Sequence, residues 1–80
     1  MKARVYVTLK KSVFDPQGKV IHDALQSLGY AGVVDVRQGK FFEIAMDNVS
    51  PVDARQAVEE IARNVLSNPV IESFKVDIES

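Results

Sequence analysis

Val33-Val34-Asp35-Val36-Arg37-Gln38-Gly39-Lys40-Phe41-Phe42-Glu43-Ile44-Ala45-Met46 is the stretch on which the reading of this chain turns. Apolar and polar residues alternate on both sides of Gln38-Gly39. From Val33 to Arg37, Val34 and Val36 point one way. From Lys40 to Met46, Phe42, Ile44 and Met46 share a face. A period of two is the signature of half-buried strands. A glycine between two such runs marks a turn. The stretch therefore predicts a β-hairpin turned near Gly39.

Upstream, Ala3, Val5, Val7 and Leu9 alternate with Arg4, Tyr6 and Thr8, which predicts another half-buried strand. Asp15-Pro16 then opens a helix. Asp15 is the N-cap acceptor, and Pro16 fits the first helical position, where a missing N–H is harmless. Val20, Ile21, Ala24, Leu25 and Leu28 draw one apolar stripe, and Gly29 stands where a left-handed C-cap is expected. Downstream, Ser50-Pro51 repeats the opening, with Asp53 adding negative charge near the helix N-terminus. Ala54, Ala57, Val58, Ile61, Val65 and Leu66 form the second stripe, and Asn68-Pro69 ends it. A last strand runs from about Ile71 to Ile78, with Phe74, Val76 and Ile78 on one face.

The order β-α-β-β-α-β predicts an α+β, ferredoxin-like sandwich over residues 1–80, one domain with two helices on one face of an antiparallel sheet. The helices are expected to cover Val5, Val7, Val34, Val36, Phe42, Ile44, Val76 and Ile78. The opposite face then carries Arg4, Tyr6, Thr8, Val33, Asp35, Arg37, Phe41, Glu43, Ala45, Ser73, Lys75 and Asp77. Tyr6, Val33, Phe41 and Ala45 cluster there within a rim of charges, a pattern that marks an interface, so self-association through this face is expected.

Composition removes several classes of function. There is no cysteine and only one histidine, His22, so disulfides and the usual zinc constellations are out of reach. The net charge is −1, without the basic footprint of a nucleic-acid binder. Met1-Lys2-Ala3-Arg4-Val5-Tyr6 runs straight into a strand pattern, where a signal peptide would need an apolar run. No apolar run is long enough to span a bilayer. A soluble cytoplasmic protein without membrane or nucleic-acid partners is the expectation.

No residues supply a nucleophile with a base. His22 falls on the flank of the first helix and reads as a surface histidine. The carboxylates are scattered, with no pair spaced for acid–base work. Lys10 to Gly18 lies in the right context for anion binding at a helix N-terminus. It lacks the glycines of a phosphate loop, and Asp15 at the cap repels anions, so structural capping is the better reading.

Four motifs follow one another along most of the chain. They are Val13-Phe14-Asp15-Pro16-Gln17-Gly18-Lys19, Ala24-Leu25-Gln26-Ser27-Leu28-Gly29-Tyr30, Val34-Asp35-Val36-Arg37-Gln38-Gly39-Lys40 and Leu66-Ser67-Asn68-Pro69-Val70-Ile71-Glu72-Ser73-Phe74. In this order they resemble the PurS family, small subunits of phosphoribosylformylglycinamidine (FGAM) synthase. Phe14, where the family often has an aliphatic residue, and a short Asp47-Asn48-Val49-Ser50 loop are the departures. The resemblance implies a non-catalytic subunit of de novo purine biosynthesis. Such a subunit joins a PurQ-like glutaminase to a PurL-like synthetase, so that glutamine-derived ammonia converts FGAR to FGAM. It implies no cofactor on this chain, with ATP and magnesium used by the synthetase, and a homodimer or higher homo-oligomer.

Two exposed segments, Lys11 to Phe14 and Arg37-Gln38-Gly39-Lys40, are expected to contact partners, together with Tyr6 and Phe41 on the open sheet. The rival class is a ligand-sensing ACT-like domain, which needs a polar glycine-containing pocket. Only Asp15-Pro16-Gln17-Gly18 offers one. An acylphosphatase would need an arginine in a glycine-rich loop after the first strand. An RNA-binding module would need basic surroundings for Tyr6 and Phe41.

Overall fold

The computed structural model describes residues 1–79. Strand β1 (Lys2–Leu9) lies in the middle of a three-stranded antiparallel sheet. On one side it pairs with β2 (Gly39–Ala45), from Lys2 opposite Ala45 to Thr8 opposite Gly39. On the other it pairs with β3 (Glu72–Glu79), from Lys2 opposite Glu79 to Leu9 opposite Glu72. The alternation that predicts β1 is the alternation observed. Ala3, Val5 and Val7 are fully buried, while Tyr6 and Thr8 face outward.

Helix α2 (Pro51–Ile61) packs on the buried face. Ser50 Oγ accepts from the Asp53 N–H at 3.2 Å, the expected N-cap, and Pro51 occupies the first helical position. A π turn over Ala62–Leu66 continues it. The Ser67 N–H reaches back five residues to Ala62 O at 2.9 Å, and its hydroxyl donates to the same oxygen at 2.7 Å. Val58 and Ala62 close over Ala3, Val5, Val7 and Val76, with Phe42, Ile44, Met46, Leu66, Phe74 and Ile78 half-buried around them. Asn68-Pro69 ends the helical segment as expected, and the Asn68 carbonyl accepts from Ile71 and Glu72 N–H.

Helix α1 (Pro16–Ser27) begins and ends where its caps predict. Asp15 Oδ1 accepts from the Gly18 N–H at 2.9 Å. Gly29 takes φ +96°, its N–H bonds Gln26 O, and the Tyr30 N–H bonds Leu25 O, a complete Schellman motif.

The fold class stands: an antiparallel sheet with two helices in ferredoxin-like order. Two expectations inside it are corrected. Residues 33–38 hold the second strand's place in the chain order but pair with no strand among the described residues. They run into β2 without a hairpin. Gly39 is already opposite Thr8, and a Cβ on it would stand 2.6 Å from Val7 O, so this glycine permits close approach to β1 and makes no turn. Within the chain α1 does not cover the sheet either. Its stripe is open to solvent, with Val20 68 % and Leu28 73 % exposed, and Val34 is 88 % exposed where burial was expected. The molecule is accordingly long, 50 × 25 × 14 Å. Its radius of gyration is 16.0 Å, against about 11.6 Å for a compact chain of this length.

Candidate interaction surface

The long shape is held by a knot of polar contacts where α1, the 33–38 segment and the end of β1 meet. Asp15 is buried, and its carboxylate serves two segments at once. Oδ1 accepts from Gly18 N–H inside α1, and Oδ2 accepts from the Gln38 N–H at 2.7 Å. These two backbone donors, with the nearby Arg37 guanidinium, hold its pKa below the usual carboxylate range. Arg37 Nη2 donates to Lys10 O at 3.0 Å and to Val13 O at 2.7 Å. A Cβ on Gly18 would stand 2.1 Å from Val36 O, so α1 touches the extended segment backbone to backbone. Farther along α1, Gln26 Nε2 donates to Val33 O at 2.6 Å.

This knot brings together both loop segments expected to meet partners. Arg37 ties the chain on either side of Lys11 and Ser12, and Gln38 closes on Asp15. Lys11 and Phe14 remain exposed at its rim. Phe14, Lys19, His22, Val34 and Arg37 line a shallow groove of about 210 Å³. Lys40, one step into β2, pairs with Glu72 at 3.4 Å. The ligand-sensing reading needed free polar groups at Asp15-Pro16-Gln17-Gly18. The Asp15 oxygens and the Gly18 N–H instead satisfy one another and Gln38.

The open sheet face carries Tyr6 opposite Phe41, with ring centroids 5.1 Å apart and planes tilted by 32°. That separation and modest tilt are nearer to an offset stack than to an edge-to-face pair. Both rings stay substantially exposed, and two ion pairs lie near them, Lys2 with Glu43 at 3.2 Å and Arg4 with Glu79. Val33, Asp35 and Arg37, expected on this face, lie off the sheet because their segment is not a strand here.

His22 lies on α1 with Nδ1 3.1 Å from Asp23 Oδ1, and Lys19 bonds the same carboxylate. Those two neighbours hold Asp23 below the ordinary carboxylate range. Among the described residues no three His, Asp or Glu side chains gather as a metal site, and no helix is long and apolar enough to cross a membrane. The residues that expectation passed over are the exposed Val20, Ile21, Leu28, Tyr30 and Val34. Val20, Ile21, Leu28 and Val34 are apolar positions whose pattern reads in the sequence as the chain's own core, while Tyr30 carries no such reading.

Comparison with known proteins was consistent along the whole length. The family model for PurS, phosphoribosylformylglycinamidine (FGAM) synthase, matches residues 2–80. The FGAM synthase subunit PurS of Bacillus subtilis is 42% identical over 78 residues, covering 98% of this chain and 92% of the relative. The crystal structure of Bacillus subtilis PurS in its C2 form superposes with a TM-score of 0.87 at 42% identity, covering 99% of this chain and 98% of that one. A chain of the Thermotoga maritima PurLQS structure gives a TM-score of 0.86 at 26% identity, covering 95% and 93%. The chain therefore belongs to the PurS family.

Proposed function

We propose that this chain is the small, non-catalytic subunit of an FGAM synthase of de novo purine biosynthesis, working in the cytoplasm as a single domain. It joins a PurL-like synthetase to a PurQ-like glutaminase and is itself a homo-oligomer. The observation that carries this reading is the end-to-end match to PurS subunits, together with the likeness to a chain of the PurLQS assembly.

Its contribution is positional. The glutaminase releases ammonia from glutamine. The synthetase uses ATP and magnesium to activate the FGAR amide for attack by that ammonia. Ammonia set free in water is diluted and protonated before it reacts. A subunit that grips both enzymes raises the effective concentration of one site at the other without entering the chemistry. The surfaces that suit this role are the knot at Lys11, Phe14, Arg37, Gln38, Gly39 and Lys40, and the Tyr6–Phe41 pair. Both combine exposed apolar or charged groups with a backbone held by hydrogen bonds, so little ordering remains to be done on binding.

The test is reconstitution of the three subunits with glutamine, ATP, magnesium and FGAR. FGAM formation from glutamine should require this chain, while synthesis driven by added ammonia should not. Equal glutamine-dependent rates with and without it would refute the role.

A further inference from the structure

Strand β3 closes one side of the sheet and pairs with β1 alone. One bond just beyond the two strands fixes which of its backbone groups that pairing uses. The Lys10 N–H donates to Ile71 O at 2.8 Å, and the register continues from Leu9 opposite Glu72 to Lys2 opposite Glu79. In an antiparallel ladder, hydrogen-bonded and non-bonded pairs alternate. Ser73, Lys75, Asp77 and Glu79 therefore turn their N–H and C=O toward β1. Glu72, Phe74, Val76 and Ile78 turn theirs to the outer edge. The Glu72 N–H is taken by Asn68 O, and Val76 O accepts from Arg55 Nη1 at 3.3 Å, as an outward carbonyl can. The N–H groups of Phe74, Val76 and Ile78, and the carbonyls of Phe74 and Ile78, have no bond partner among the described residues. A row of open backbone groups at strand spacing is matched by one kind of ligand, another extended chain.

Helix α2 and the π turn set side chains along this edge. Arg55 reaches Val76, Glu59 stands 3.7 Å from Arg55, and the Arg63 guanidinium lies 6.0 Å from the centre of the Phe74 ring. Neither Arg63 nor Lys75 pairs with a carboxylate among the described residues. At the Ile78 end, Pro51, Val52, Arg55 and Ile78 line a recess of about 350 Å³, and Val52 is 76 % exposed. Charged side chains that served only to blunt the edge would need no apolar recess beside them. We infer that the outer edge of β3 receives an extended acidic segment of the synthetase as an added strand. Residues two apart in such a segment share a face, so the positions opposite Phe74 and Ile78 both look toward α2. The first presents a carboxylate to Arg63, and the second places an apolar side chain in the recess. A sheet continued from one protein into the next fixes orientation as well as distance. The synthetase holds the activated amide, so it is the partner that must be oriented toward the arriving ammonia. The strand order β2-β1-β3 puts this edge on the opposite side of β1 from β2 and the segment before it. A strand added here leaves the knot and the Tyr6–Phe41 face open to the glutaminase.

This rests on the bridging role proposed above, but its test reads amide exchange and binding rather than FGAM formation, so an edge that fails leaves that role standing. Hydrogen exchange is followed residue by residue on the isotopically labelled full chain, alone and with the unlabelled synthetase or glutaminase. Alone, the Phe74, Val76 and Ile78 amides should exchange freely, while those of Ser73, Lys75 and Asp77 are protected by β1. The synthetase should slow the first three by about tenfold or more, since each gains a bond partner, and the glutaminase should not. Protection of those three in the chain alone, as from a second copy on this edge, would overturn the inference. So would free exchange with the synthetase bound, or slowing by the glutaminase instead. Val52→Asp alters an exposed side chain in the first turn of α2, where a negative charge suits the helix. It should weaken synthetase binding by about tenfold, with glutaminase binding and Tm unchanged. Arg63→Glu should weaken the same binding. Synthetase affinity untouched by both substitutions would show an edge that is guarded and not used. A chain that binds neither enzyme would overturn this inference and the bridging role together.

Discussion

Gly18→Ala sets two rules against each other. Glycine in a helix is less favourable than alanine by about 0.8–1.0 kcal/mol, so propensity alone predicts a more stable protein. The added Cβ, however, meets Val36 O at 2.1 Å, and the obstacle is a backbone carbonyl that no rotamer change can clear. That separation is roughly 1 Å or more short of contact distance. Overpacking of this kind costs about 1–3 kcal/mol. The net expectation is a loss of about 1 kcal/mol, or roughly 4–8 °C in Tm for a domain of this size. Relief requires α1 to move off the 33–38 segment. The 2.7 Å bond from Gln38 N–H to Asp15 then breaks, and the Gln38 amide should exchange with solvent faster. Thermal unfolding followed by circular dichroism, with amide exchange at Gln38, is the assay. A Tm equal to or above that of the parent would show that α1 does not rest on Val36, and the account of the contact between α1 and the 33–38 segment would fail.

Val58→Ala removes two methyl groups from a fully buried site under α2, about 1.6 kcal/mol of transfer plus a cavity, for a total near 2–3 kcal/mol in urea unfolding. The Asp15 carboxylate titrates below its unfolded value, so its contribution is present at neutral pH and is lost as pH falls from the ordinary carboxylate range through the depressed folded pKa. Asp15→Asn should flatten that acid limb of the stability curve, and an unchanged limb would count against the knot. Lys40→Glu reverses an exposed charge paired only with Glu72 among the described residues. It should lower glutamine-dependent FGAM synthesis while leaving ammonia-driven synthesis unchanged, and the like-charge contact with Glu72 should lower the chain's stability modestly. Finally, if the chain is a homo-oligomer as proposed, its unfolding midpoint should rise with protein concentration, and a midpoint independent of concentration would count against self-association.

The contrast between what could and could not be read from the residues has a physical basis. Asp15-Pro16, Ser50-Pro51, Gly29 and Asn68-Pro69 act on backbone groups within a few positions of themselves. Those bonds are written locally, and each occurs where expected. The strands β1, β2 and β3 were legible for a related reason, since alternation reports that one face is buried. It does not report against which chain. Val34 and Val36 carry the same pattern as Phe42 and Ile44, yet only the second pair lies on this chain's sheet. Gly39 was misread because a glycine that makes a turn and a glycine that makes room look identical in sequence. The ties from Arg37 to Lys10 and Val13, and from Asp15 to Gln38, were illegible because they link segments more than twenty positions apart. Even so, the two loops picked out for their charge and exposure are the two that those ties bring together.

An incomplete fold is a reasonable design for a subunit whose work is to hold others. The core that this chain closes by itself is little more than Ala3, Val5, Val7, Ala54, Val58, Ala62 and Val76, a thin basis for stability at this length. A chain with so small a core gains stability from whatever covers its exposed α1 stripe and its 33–38 segment, because a partner that binds only the folded state raises the unfolding midpoint by mass action. Partner binding and folding are then coupled: the midpoint should rise when the synthetase or the glutaminase is added, and a midpoint moved by neither would separate the exposed stripe from the bridging role.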